Sequence, residues 1–367
     1  DQNGDANLYF NTEEYRRSRE KNFDSWFEGS TTAKLIPDAD INGTILDFAV
    51  AGFPKCGTTS VMANLGQHAP LPIADVCTPT AQTVYYSYQN WPRKYGNEKK
   101  TMRGTKCPSI LDNGMIKEYS KYLPRTKIII GIRHPVLFFQ SFWNQAASSN
   151  QTYKMAKNDP YQLTKPCKHK RDCRSTCPQG KWFCVNRCRF HIFIAALGKT
   201  DLTPIERQLL APHDSDGGDK LQNLNIRNPI FVYETDELRK DYVWDEMANF
   251  LHIQGGFTHD QYHASRGRTN RDSNKIDICD VKYDRLRAMI MPHSFNLATW
   301  LQDYFIPVAR NVSRGDVVVP NPDLFVEKVE EYKLDPCERL VRTDNGTFVL
   351  KETLSNTAST QQLSGSG

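Results

Sequence analysis

Apolar positions in this chain come in short runs, each followed by a stretch of mixed polarity. Residues 45–52 are apolar except for Asp47 and end on glycine, the pattern of a buried strand. Residues 59–68 follow with helical spacing, which gives strand, glycine loop and helix in direct succession. Residues 126–132 form an almost continuous β-branched run, as expected of a parallel strand covered on both faces. A third strand is expected over residues 229–233, followed by an amphipathic helix through Leu251, and a last long helix over residues 283–305. Strands alternating with helices predict an α/β protein with right-handed crossovers: three layers, α/β/α, around a central parallel sheet.

Three stretches fall outside that rhythm. The first 40 residues are polar and charged, as at Glu13-Glu14-Tyr15-Arg16-Arg17, and read as a stem or surface-covering segment. Residues 150–225 hold a basic, cysteine-rich insert, at about 165–190, and a Gly/Asp-rich loop at 214–219. From Ser355 the chain is rich in Ser, Thr, Gln and Gly and reads as a flexible tail, its terminal Gly365-Ser366-Gly367 resembling an added linker. The expected organisation is a stem over 1–40, a main domain over 41–310 and a C-terminal extension over 311–367. No internal repeat is visible.

Composition narrows the class. Of 367 residues, 39% are hydrophobic and 24% charged, which excludes disorder and suits a globular protein. Lysine and arginine exceed the acids by 47 − 42 = 5, too little for a dedicated nucleic-acid binder. The longest apolar runs, such as residues 128–132, are far short of the ~20 residues of a membrane helix. No apolar signal segment opens the chain, so it reads as a mature or truncated form.

Ten cysteines are present. Cys167, Cys173, Cys177, Cys184 and Cys188 crowd the insert, while Cys56, Cys77, Cys107, Cys279 and Cys337 are scattered. The spacing within the insert matches no zinc pattern, which favours disulfides over metal or free thiols. Four glycosylation triplets begin at Asn42, Asn150, Asn311 and Asn345. Cysteines and triplets together point to the secretory pathway and to a lumenal enzyme without its membrane anchor.

The sharpest feature is Gly52-Phe53-Pro54-Lys55-Cys56-Gly57-Thr58-Thr59-Ser60, between a strand and a helix. Backbone N–H groups at such a turn, backed by a helix N-terminus, form an anion site. Hydroxyls at Thr58, Thr59 and Ser60 can add donors. A nucleotide triphosphatase would carry lysine directly after the second glycine. Here that place is Thr58, and the lysine stands two residues before Gly57, which argues against ATP or GTP hydrolysis.

This loop resembles the 5′-phosphosulfate loop of sulfotransferases, P-K-[S/G/A]-G-T-T. That family's donor is 3′-phosphoadenosine 5′-phosphosulfate (PAPS), and its fold is P-loop NTPase-like. Three further segments support the resemblance. Arg133-His134-Pro135 after a strand, with Ser141 eight residues beyond Arg133, looks like the 3′-phosphate element, an Arg and a Ser forking onto one phosphate. Ser265-Arg266-Gly267-Arg268 looks like the S-K-G-R loop that closes over adenosine and 3′-phosphate in glycan sulfotransferases. Thr105-Lys106-Cys107-Pro108 is similar to the K-T-P segment of heparan-type enzymes, and Pro108 excludes the histidine base that cytosolic members carry there. The resemblance spans roughly residues 46–305, is closest in motifs to Golgi carbohydrate sulfotransferases, and leaves stem, insert and C-terminal extension unaccounted for.

The resemblance implies an in-line sulfuryl transfer. Lys55 would face the departing oxygen and the sulfuryl oxygens, and Lys106 would steady the sulfuryl group near the acceptor. Donor binding would fall to Lys55, Cys56, Gly57, Thr58, Thr59, Ser60, Arg133, Ser141, Arg266, Gly267 and Arg268, with no metal required. The base is the weak point. If Tyr85-Tyr86 is the aromatic pair that follows the heparan-type glutamate, Gln82 stands in the glutamate's place and cannot take a proton. Asp75 is the one carboxylate between His68 and Glu98 and is the preferred base, with a loop-capping role as its bland alternative and His134 as a second candidate. The acceptor is expected to be hydroxylated or acidic, a glycan first, with the basic insert either attracting it or serving as a disulfide-tied flap. Two other readings stay open: a catalytically silent relative that binds nucleotide or acidic glycans, and a phosphoryl-transfer kinase of similar layering.

Overall fold

The computed structural model describes residues 46–68, 102–107, 110, 119, 123–148, 159–164, 228–253, 257, 275–302 and 317–351. The stem, the cysteine-rich insert, the 214–219 loop and the tail from Ser355 lie outside these residues.

A five-stranded sheet is the centre of the molecule. Strand β1 (Phe48–Val50) leads through the glycine loop to helix α1 (Thr58–His68). Strands β2 (Gly104–Lys106), β3 (Lys127–Ile132) and β4 (Ile230–Glu234) follow, with helix α2 (Pro135–Ser148) after β3 and helix α3 (Asp241–Leu251) after β4. Helix α4 (Asp284–Trp300) precedes the short strand β5 (Val317–Val318). The strands lie in the order β2-β1-β3-β4-β5, and all are parallel. Residue 48 of β1 aligns with 104 and 127, and residue 128 of β3 with 230.

Period-two alternation explains the layers. Ala49, Ile128, Ile130, Ile132, Ile230 and Val232 share one core with the inner faces of α2 and α4. Phe48, Val50, Ile129, Phe231 and Tyr233 share the other with Val61 and Leu65 of α1 and Val243, Trp244 and Met247 of α3. Strands β1, β3 and β4 are therefore buried on both faces, as their apolar runs required, and the predicted three-layer α/β/α architecture is present. Full burial of each large apolar side chain contributes about 1.5–3 kcal/mol, so these two interfaces hold the sheet.

Local chemistry sets the helix ends. Pro135 suits the first position of α2, where no N–H is needed. His252 takes the left-handed conformation (φ 61°) that closes α3. Strands β2 and β5 were not foreseen: Gly104-Thr105-Lys106 carries no apolar run, and β5 has two residues. Gly104 is required in β2, since a β-carbon there would stand 2.0 Å from the Phe48 ring.

The C-terminal residues fold against the same core. After β5 come helix α5 (Pro322–Glu330), a single turn at Glu331–Lys333, and an antiparallel hairpin of β6 (Leu340–Arg342) and β7 (Phe348–Leu350). Phe325, Val329, Tyr332, Leu340 and Phe348 are buried in the α2–α4 core. A disulfide joins Cys279 to Cys337. Cys107 is also disulfide-bonded.

Candidate functional site

In this strand order the chain leaves β1 toward β2 on one side and returns to β3 on the other. The reversal falls between β1 and β3, and crevices of open α/β sheets form at the carboxyl ends of the strands where the order reverses. Here the strands stay tied to their ends: Ala51 N donates to Ile129 O at 3.0 Å and Cys107 N to Val50 O at 3.0 Å. The glycine loop leaves β1 at this point.

Two glycines let the loop lie flat on β3. A β-carbon on Gly52 would stand 2.4 Å from Gly131 N, and one on Gly131 would stand 2.4 Å from Cys56 O. Lys55 and Gly57 are both left-handed, at φ 70° and 72°. Glycine bears this freely, whereas a lysine there costs roughly 1–2 kcal/mol. The loop is held against that cost from β3 and β4. Arg133 donates to Lys55 O at 3.3 Å, and the buried Tyr233 hydroxyl donates to Cys56 O at 2.7 Å. Thr235 donates to Ile132 O at 2.7 Å, fixing the residue before Arg133. Helix α1 starts directly after the loop, and Val61 N makes its first bond, to Gly57 O at 3.0 Å. The N–H groups of Thr58, Thr59 and Ser60 therefore sit in a first turn that provides them no helical acceptor.

Lys106, at the end of β2, reaches across to this helix and donates to Thr59 Oγ1 at 2.7 Å. The structure thus gathers Lys55, Cys56, Gly57, Thr58, Thr59, Ser60, Lys106 and Arg133 at one corner. Ser141 is on α2, beyond Arg133, and half-buried. Asp75, Gln82, Pro108, Arg266, Gly267 and Arg268 lie outside the described residues.

The corner is electropositive. Burial, then the Arg133 and Lys106 charges, hold the Lys55 ammonium below the ordinary lysine range. Among the described residues neither Lys55 nor Arg133 forms an ion pair with a carboxylate, and the buried Arg133 Nε has no hydrogen-bond partner. Burial pushes the free Cys56 thiol up to about 12, so it stays neutral and serves the loop through its backbone.

Behind the loop is a carboxylate that the sequence reading passed over. Glu234 ends β4, buried, with Tyr332 donating to Oε1 at 2.9 Å and Asp236 N to Oε2. Burial first, then the neighbouring Asp236, raises it to about 7. The third strand was expected to stop at Tyr233, and nothing in sequence links Glu234 to Tyr332.

His134 is not available as a base. It is buried, its Nδ1 accepts from Val136 N at 3.2 Å, and its Nε2 meets Leu334 O at 3.2 Å. Burial lowers it to about 4, so it is a neutral pin between α2 and the C-terminal segment.

No protein-family model matches the chain, and no curated protein matches it either. A solved structure similar to it is a sulfotransferase from Alicyclobacillus acidocaldarius, with 15% sequence identity and a TM-score of 0.41 over 70% of this chain and 96% of that one. Among the described residues no three His, Cys, Asp or Glu side chains are grouped to hold a metal ion, and no helix is long and apolar enough to cross a membrane.

Proposed function

We propose that this chain is a sulfotransferase that moves a sulfuryl group from PAPS to a hydroxyl or amine of an acceptor, a carbohydrate first, in the Golgi lumen. One observation carries the reading. Lys55, Lys106 and Arg133 converge on a left-handed loop and a helix N-terminus at the switch point of a parallel sheet, with no carboxylate ion-paired to Lys55 or Arg133 among the described residues. A lysine and an arginine held close with no carboxylate ion-paired to either among the described residues are costly, and a phosphate or sulfate group offsets that cost.

The residues fit such a donor. The unpartnered Arg133 Nε is an orphaned donor that a phosphate oxygen would satisfy. PAPS supplies the activated sulfuryl group when bound. Lys55, with its depressed pKa, is a stronger acid than an ordinary lysine and suits the departing phosphate oxygen. Lys106 leans on Thr59 and would steady negative oxygens beside the loop. Asp75 is proposed to take the acceptor's proton. Lumenal residence is supported by the Cys279–Cys337 disulfide, which favours an oxidising compartment.

The test is thermal stabilisation by 3′-phosphoadenosine 5′-phosphate beside magnesium ATP, followed by transfer from labelled PAPS to candidate glycans. Ligand at 100 times its dissociation constant adds about 2.7 kcal/mol to the folded state. A shift with the bisphosphate and transfer of label support the reading. Binding without transfer to any acceptor points to the silent relative. No shift with the bisphosphate overturns the reading, and a shift with ATP alone turns it to phosphoryl transfer.

A further inference from the structure

The hairpin of β6 and β7 carries a site of another kind. Its strands pair Leu340 with Leu350 and Arg342 with Phe348. The connecting residues 343–347 are closed by Thr343 N donating to Thr347 O at 2.8 Å and Gly346 N to Thr343 O at 2.9 Å. Leu340 and Phe348 bury one side in the core, while Asp344, Asn345 and Thr347 stand exposed at the tip. Gly346 takes φ 83°, a conformation that the turn needs and that glycine supplies without strain.

Asn345-Gly346-Thr347 is an N-glycosylation triplet, and the side-chain amide of Asn345 is arranged asymmetrically. Its Oδ1 accepts from Thr347 N at 3.2 Å and from the Thr347 hydroxyl at 2.8 Å, with Thr343 Oγ1 turned to it as well. Its Nδ2 donates to no group among the described residues. The oxygen therefore holds the turn together while the nitrogen is left to solvent. An N-linked sugar replaces one hydrogen of Nδ2 and leaves Oδ1 untouched, so the hairpin keeps these hydrogen bonds with the sugar attached. The hydroxyl on Oδ1 also polarises the amide, which eases loss of a proton from Nδ2.

A second observation concerns compartment. Cys337, just before β6, is bonded to Cys279, so the segment leading into this hairpin carries a disulfide of the kind that persists in oxidising surroundings.

We infer that Asn345 carries an N-linked glycan, transferred from a lipid pyrophosphate-linked oligosaccharide. The inference rests on the lumenal part of the proposed function and is independent of sulfuryl transfer. In the step, Nδ2 attacks the anomeric carbon and a C–N bond forms. The C–O bond to the lipid pyrophosphate breaks, the pyrophosphate leaves with the electron pair, and the Nδ2 proton passes to a base of the transferring enzyme.

The experiment expresses the full chain behind a secretion signal in a eukaryotic host. The secreted protein is treated with a glycan-releasing amidase in heavy-oxygen water and mapped by mass spectrometry. The expected result is a heavy-oxygen mark at Asn345, retained in Thr347→Ser and lost in Thr347→Ala. The same digest shows whether Cys279 and Cys337 are joined. Secreted protein with that disulfide intact and Asn345 unmarked overturns the inference. Bisphosphate binding measured on the same preparation reports on the sulfotransferase reading alone, so the two can fail separately.

Discussion

Arg133 is half-buried and Arg287 fully buried, and their surroundings are opposite. Arg287, on α4, is fully buried and ion-paired: Asp284 lies on one end, Asp335 is 3.2 Å from Nε, and Ile278 O accepts from Nη1 at 2.6 Å. Arg339 joins Asp284 at 3.1 Å, and Asp335 also accepts from the backbone N–H groups of Arg339 and Leu340 at 2.9 and 3.0 Å. Two arginines and two aspartates balance. Arg133 has one backbone carbonyl and no carboxylate ion-paired to it among the described residues, and its charge helps hold the Lys55 ammonium below the ordinary lysine range. Charge that is balanced inside the chain serves the fold. Charge left in excess at a strand end, on a loop held in a costly conformation, serves a ligand.

If that contrast is right, the two clusters respond differently to mutation. The largest effect is expected at the balanced one. Arg287→Ala strands two buried aspartates and is expected to cost roughly 3–5 kcal/mol in denaturant unfolding. Next is the disulfide that clasps the same lobe. Cys279 and Cys337 are 58 residues apart, and replacing both by serine is expected to cost about 2–4 kcal/mol by chain entropy.

The third effect is a pH dependence from Glu234. Its folded pKa, about 7, lies above the ordinary carboxylate value, so the folded state holds this proton more tightly. Its contribution is fully present below the unfolded pKa and is lost as pH rises toward 7, with a slope of at most about 1.4 kcal/mol per pH unit. Tyr332, Asp236 and Lys328 face the same carboxyl and set that value. Unfolding of Glu234→Gln across this range is expected to lack the slope, while an unchanged slope would place the titrating group elsewhere. The smallest stability effect is expected for Arg133→Ala, which removes a cation from a repulsive corner and leaves the unfolding midpoint almost where it was.

The sequence pattern foretold the unbalanced region far better than the balanced one. Residues 45–52 and 126–132 are mainly apolar runs whose burial on both faces leaves one reading, and the loop between β1 and α1 is local, so its glycines, lysine and hydroxyls are adjacent in sequence. The partners that complete the corner are less visible. Lys106 is reached only through the resemblance of its segment, because its three-residue strand carries no apolar signal, and Tyr233 reaches Cys56 from 177 positions away. His134 looked catalytic because it follows Arg133, but its actual partner, Leu334, is 200 positions distant. The Arg287–Asp335 pair and the Glu234–Tyr332 bond are likewise long-range. Pairings of that kind follow from topology, which local periodicity does not encode.

The central claim is that the excess charge around Arg133 is a site for the phosphates of a sulfuryl donor. It is tested most directly by calorimetric titration of 3′-phosphoadenosine 5′-phosphate into the wild-type chain and Arg133→Ala, each checked for an unchanged unfolding midpoint. The account predicts saturable binding to the wild type, weakened roughly ten- to a hundredfold in the variant, the worth of a charge-assisted hydrogen bond. No binding to the wild type, or equal binding to both, would contradict it.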